Sequence, residues 1–311
     1  MASLPTILVA VDGSDQSRHT ITYLSRILSP NEVYLELFHV RAEMPEAFFD
    51  EGETTATVAY ETEIQTWKSS RGTQINRFMD DAQKSFLAAG FPSGSVSISV
   101  QSRKIGIARD IIGKSRRGYA ALVIGRNGFG TLPEFMLGSI ASKLAEAVAH
   151  IPLVIVGGQP ETRKVIVAYD QSWRVRKGMD KVSVLFSRSL EDILFCHIVR
   201  PLSEHHPAGQ SFFTSRNEAH WLDENSRKIV PAMVMAKKHL SRAGFGPQAF
   251  RTAILKEKTS RANGVCTEAD TLGAGTIIVG RRGTSVVEDF AMGRVTRKIL
   301  YLAFNKAIWI V

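Results

Sequence analysis

The chain writes one order of elements twice, about 155 residues apart. That repeat limits the available folds more than any single motif does. The stretch "PTILVAVDGSDQS" (5–17) is apolar and β-branched through 7–11 and stops at Asp12. The stretch "RKVIVAYDQSWRV" (163–175) repeats this through 165–169 and stops at Asp170. A helix-length segment follows each. The strand-like runs "EVYLELFHV" (32–40) and "EDILFCHIV" (191–199) come next, then connections with proline at 41–46 and 200–207. Long helices are predicted over 56–89 and 215–243. Both end at Ala-Gly-Phe, with Gly90 and Gly244 as the stop signals.

The remaining strands also pair across the repeat. "SVSISV" (95–100) answers "QAFRTAIL" (248–255), "AALVIG" (120–125) answers "GTIIVG" (275–280), and "IPLVIVGG" (151–158) answers "KAIWIV" (306–311). Each half therefore reads β-α-β-α-β-α-β-α-β. Strands that alternate with helices predict a parallel sheet covered on both faces, and the near-continuous apolar first and fourth strands fit burial on both sides. The fold class is α/β: two tandem open five-stranded parallel sheets with helices on both faces. The expected domains are 1–158 and 163–311, joined by a short linker at about 157–163. A length of 311 residues suits two such units.

Composition narrows the function classes. No run of about 20 apolar residues predicts a membrane span. The start, Met-Ala-Ser-Leu-Pro-Thr, lacks the basic and apolar pattern of an export signal. Cys196 and Cys266 are the two cysteines, without metal-ligand spacing, which suits a reducing cytoplasm. Residues 1–159 carry 15 basic and 16 acidic side chains, and the rest carries 24 and 14. A basic half can meet anions, but these residues scatter and no aromatic-interleaved stripe exists. A solvated basic surface is the better reading, and nucleic acid is not an expected partner.

The candidate site is "GRNGFGTLPEFMLGS" (125–139), directly after the fourth strand. In open parallel sheets, ligands sit beyond the carboxyl ends of the strands. Asp12, Val40 and Gly125 fall at such ends. Gly125 and Gly128 let backbone N–H groups approach an anion. Gly138 and Ser139 open a helix whose N-terminus suits phosphate. A Walker loop fails because Gly130-Thr131 has no lysine after the glycine, and the dinucleotide order G-x-G-x-x-G is absent. The spacing that fits is G-x2-G-x9-G-[ST], through Gly125, Gly128, Gly138 and Ser139.

That spacing, its place after the fourth strand and the duplication resemble the nucleotide-binding universal stress protein family, as a tandem member. The resemblance implies a strand order of 3-2-1-4-5 in each half and bound ATP, with Mg2+ as a companion ion. It implies adenine near Ala10, Asp12 and Val40. Ile124, Gly125, Arg126 and Gly128 would line ribose and phosphates, and Gly138, Ser139 and Ile140 would hold the triphosphate end. It also implies pairing through the fifth strand. Here the second half can supply that partner, making an intramolecular pseudo-dimer that can dimerise further. The expected role is a nucleotide-dependent partner interaction in stress response.

The second half keeps Asp170, Val199, Gly280, Gly283 and Gly293, but Arg294 replaces the Ser/Thr. Two readings stay open there: an arginine clamp on phosphate helped by Arg281 and Arg282, or a filled, degenerate site. His39 and His197, near the ends of the second strands, are expected to be hydrogen-bonded structural groups, and Ser14 and Ser172 helix caps. No general base is legible, so catalytic residues are not assigned. A slow ATPase or autophosphorylating enzyme, and a nucleotide-free interaction scaffold, are the alternatives.

Overall fold

The computed structural model describes residues 4–41, 55–129, 133, 135–170, 172–186, 190–202, 214–256, 260–283 and 291–311. The first half runs β1 (Thr6–Ala10), α1 (Asp15–Ile27), β2 (Tyr34–Arg41), α2 (Thr55–Ala88), β3 (Val96–Ser102), α3 (Ile107–Ser115), β4 (Ala121–Gly125), α4 (Ser139–Ala147) and β5 (Leu153–Val156). The second runs β6 (Lys164–Ala168), α5 (Trp173–Ser183), β7 (Asp192–Ile198), α6 (Ser215–Arg242), β8 (Phe250–Leu255), α7 (Arg261–Leu272), β9 (Thr276–Val279), α8 (Arg294–Leu302) and β10 (Ala307–Ile310). A short 3-10 turn, Pro247–Ala249, takes the start of the run expected as the third strand of this half. Pro247 has no N–H to give a sheet, so the ladder begins at Phe250.

Within each half the strands are parallel and ordered as in an open doubly wound sheet. The two sheets are continuous: the full order is β3-β2-β1-β4-β5-β10-β9-β6-β7-β8. The join is the antiparallel pair β5–β10, with Ile308 opposite Ile155 and Trp309 opposite Val154. All eight residues of this pair are buried. Alternation along each strand then sorts the cores. Ile7 and Val9 face α1 and α2, while Leu8 faces α3 and α4. The second half repeats this, with Val165 and Val167 on the α5–α6 face and Ile166 on the α7–α8 face.

The seam is also fixed by side chains. Trp309 Nε1 donates to Tyr23 Oη at 2.8 Å, and Tyr23 shares a 2.9 Å hydrogen bond with Thr276 Oγ1. Phe186 meets the Trp309 ring edge-on at 4.8 Å between centroids. Tyr23, Thr276 and Trp309 are all fully buried, so each polar atom depends on the others. Burial pushes the Tyr23 phenol well above its ordinary range. Gly157 passes so close to the other half that a Cβ there would stand 1.9 Å from the Phe304 carbonyl oxygen.

Tyr23→Phe removes the acceptor for Trp309 and leaves Thr276 without its partner. It is expected to lower unfolding free energy by about 1–3 kcal/mol in urea titrations. The exposed Tyr34→Phe should stay within about 0.5 kcal/mol of the parent.

Candidate functional site

The ends of β1, β2 and β4 converge on one cleft of about 480 Å³. Ala10, Asp12, Val40, Ile124, Gly125, Arg126, Gly128, Gly138, Ser139 and Ile140 all line it. The register explains the convergence: Ala10 pairs with Phe38 on one side and Ile124 on the other. The three chain ends therefore finish at one level.

Asp12 is held by the turn into α1. Its Oδ1 accepts from Ser14 N at 2.9 Å and from Ser17 Oγ at 2.7 Å. Ser14 in turn caps α1 by accepting from Ser17 N. The other carboxylate oxygen faces Gly128, where a Cβ would stand 2.4 Å from Oδ2. A Cβ on Gly125 would stand 2.9 Å from Gln16 Cγ. Both glycines are therefore needed for close approach, and a side chain at Gly128 would invade the cleft beside the carboxylate. Gly138 N–H donates to Arg126 O at 3.0 Å, closing the loop onto itself before α4 begins. Gly138 caps α4 without any side chain. The first-turn N–H groups of α4 thus meet no side-chain acceptor from the cap position and stand at the positive end of the helix. Of the spacer between Gly128 and Gly138, residues 130–132 and 134 lie outside the described residues.

Arg126 departs from expectation. Its backbone lines the cleft, but its side chain is 2 % exposed and donates from Nη1 to Leu300 O and from Nη2 to Phe135 O, both at 2.7 Å. The guanidinium crosses the seam to the carboxyl end of α8 and does not aim at a phosphate. Burial lowers its pKa, and carbonyls at a helix C-terminus are the acceptors that make such a buried cation tolerable. Arg281 does the same in the opposite sense. Its Nη1 donates to Ala145 O at 2.8 Å, and its Nη2 donates to Val148 O, at the end of α4. Burial, then the adjacent Arg282, pulls its pKa down to about 10. Arg281 is thereby committed to the seam and takes no part in a phosphate clamp.

Several lining residues carried no sequence signal. Arg71, Gly72, Gln74 and Ile75 reach the cleft from α2, and Ile107 and Ile111 from α3. Arg71 lies over the Phe129 ring at 5.2 Å. Asn127 Oδ1 is buried and accepts no hydrogen bond, which leaves an acceptor for a donor-bearing ligand.

The second half keeps the same skeleton. Asp170 Oδ1 accepts from Ser172 N at 3.0 Å, and a Cβ on Gly283 would stand 3.2 Å from Asp170 Oδ2. Gly293 N–H donates to Arg281 O at 2.9 Å and caps α8 without a side chain. Val199 is buried, Gly280 ends beside Val175, and exposed Arg294 is the first residue of α8.

The two histidines are structural twins, as expected. His39 Nδ1 bonds Val11 O at 2.8 Å, and His197 Nδ1 bonds Tyr169 O at 2.7 Å. Burial is the main cause holding both below the ordinary value of 6.5. No helix among the described residues is long and apolar enough to cross a membrane.

A duplicated, doubly wound α/β sheet with a glycine loop at the end of its fourth strand puts the candidate site where open sheets of this kind hold ligands. The model of the universal stress protein family matches residues 4–157, and this half of the chain belongs to that family. The whole chain resembles a universal stress protein from Archaeoglobus fulgidus DSM 4304, with 13% identity and a TM-score of 0.57, over 98% of this chain and 97% of that one. It also resembles a functionally unknown protein from Pseudomonas aeruginosa PAO1, with 11% identity and a TM-score of 0.53, over 99% and 92% of the two chains. At these identities the likeness concerns the fold, and it extends over both halves. No curated protein matches the chain.

The histidine pair gives a signed pH dependence. The unfolded chain takes up protons as pH falls through about 6.5, and the folded chain resists because both native values are depressed. This part of the stability is complete above about 6.5 and is lost below it. Urea midpoints should fall between pH 7.5 and 5.5, and His39→Gln/His197→Gln should show a shallower fall. An identical slope in parent and variant would contradict the assignment.

Proposed function

We propose that the cleft of the first half binds ATP, and that its occupancy acts in a stress response through contacts with a partner protein. The observation that carries this is the convergence of the glycine loop, Asp12 and the bare N-terminus of α4 around one cleft. Apolar walls from Phe38, Val40, Ile107 and Ile111 suit a base. Asp12 suits ribose hydroxyls, and the loop N–H groups with Gly138 and Ser139 suit phosphates. The orphan acceptor on Asn127 and the cradle at Gly128 both favour a polar ligand seated against the loop. Mg2+ would accompany the phosphates as counter-charge.

Occupancy has a physical route outward in this reading. Arg126 O receives the Gly138 N–H, while the Arg126 side chain holds α8 of the other half. A ligand that orders the loop also orders the seam. The second half then stands as a built-in dimer partner. Asp12, the carboxylate that faces the loop, is held in the turn into α1 by Ser14 and Ser17, and this reading gives it to the ribose hydroxyls, so binding is favoured over turnover. The cytoplasm, which keeps Cys196 and Cys266 as thiols, is the matching compartment.

Purified full-length protein should release ATP or ADP on heat denaturation, or bind added ATP in calorimetry. Ser139→Trp places bulk on an exposed helix position, so folding should survive. Its ATP affinity should fall at least about tenfold, about 1.4 kcal/mol. Equal affinity in parent and variant, or no nucleotide under either protocol, would overturn the reading.

A further inference from the structure

The repeat allows each cleft position of one half to be compared with its partner in the other. At three positions a neutral residue in the first half has become arginine in the second. Ile107 opens α3 and Arg261 opens α7. Asn127 follows the arginine after β4, and Arg282 follows its counterpart after β9. Ser139 opens α4 and Arg294 opens α8.

The three arginine positions flank one glycine turn. Gly283, next to Arg282, faces the Asp170 carboxylate. A Cβ on Gly293 would stand 3.5 Å from Arg282 Cα and 3.7 Å from Gly283 N, which sets the Arg294 end of α8 against the same turn. Arg261 lies within electrostatic range of both Asp170 and Arg200. Its pKa is lowered by burial first and then by Arg200, with Asp170 opposing. Arg294 is exposed and Arg282 half-buried, so both can swing to a ligand.

The apolar part of the cleft changes in the opposite direction. The registers match Phe38 with Cys196 and Ile124 with Val279. Ile140 and Val295, the second residues of α4 and α8, give a third such pair. An aromatic ring and two methylene groups are lost from the apolar lining, and Ile107 has become a cation. Less apolar surface faces a purine, and more positive charge faces its phosphates.

We propose that the cleft of the second half is a separate site for a compact polyphosphate anion carrying no nucleoside. The glycine turn and the N-terminus of α8 receive the anion, and Arg261, Arg282 and Arg294 bind its oxygens from three sides. Planar guanidinium groups suit this because each offers paired donors to phosphate oxygens. The proposal is independent of ATP binding in the first half.

The test is calorimetry with sodium triphosphate on the full chain in magnesium-free buffer. Ser139→Trp, which blocks the first cleft, should keep one triphosphate site. Arg261→Ile/Arg282→Asn/Arg294→Ser, which restores the first-half residues, should weaken that site at least tenfold in the Ser139→Trp background. Replacing the same three arginines with lysine keeps the charge and controls for folding, and should bind more tightly than the restored variant but more weakly than its parent. ATP should bind the second cleft no more tightly than triphosphate does. The proposal is overturned if triphosphate gives no heat, if its heat vanishes with Ser139→Trp alone, or if the restored variant binds as well as its parent. ATP titration of the parent chain against Ser139→Trp reads the first cleft separately, so failure of one site is not mistaken for failure of the other.

Discussion

Two buried guanidinium groups set the terms on which the halves meet. Arg126 and Arg281 each leave a glycine loop, cross the seam and end on the last carbonyls of the opposite helix. A buried cation without acceptors is prohibitive. The C-terminal turn of a helix presents carbonyls that lack intrahelical partners and carry partial negative charge. Each arginine satisfies the helix, and each helix satisfies the arginine. Neither half can move without exposing both to an unpaired, dry environment. Loop, seam and helix end are therefore one mechanical unit, repeated twice.

The strand join adds the apolar part of the same argument. β5 and β10 would each be an edge strand in an isolated half, and both are short and wholly buried where they pair. The pairing leaves β3 and β8 as the edges of the ten-stranded sheet. These two strands expose successive residues near their starts, Ser97 and Ile98 in one and Arg251 and Thr252 in the other. Arg251 is ion-paired with Asp192 there. That charged pair on the β8 edge resists pairing with further chains.

Much of this was legible in the amino-acid sequence. Apolar runs ending at Asp12 and Asp170, with helix-length spacing, carried the fold class, and the paired glycine spacings located the cleft. Boundaries shifted by one or two residues, and only the start of β8 moved for a chemical reason, the proline at 247. Side-chain direction was not legible. Arg126 and Arg281 sit inside the motif in sequence, yet their partners across the seam lie 174 and 136 positions away along the chain. Arg71 was invisible for a related reason: its place at the cleft depends on how α2 crosses the sheet, which periodicity does not encode. Asn127 and Phe129 could have been found, since both lie within the quoted motif.

The short connection between β5 and β6 has an evolutionary consequence. When two identical chains form a symmetric pair, every substitution appears in both copies at once. A change that spoils one ligand site spoils the other. Once the copies are joined by residues 157–163 and held together at any dilution, a substitution such as serine to Arg294 touches one site and spares its twin. The linker turns an obligatory symmetry into two independently inheritable surfaces, and the first half can keep its original chemistry while the second explores another.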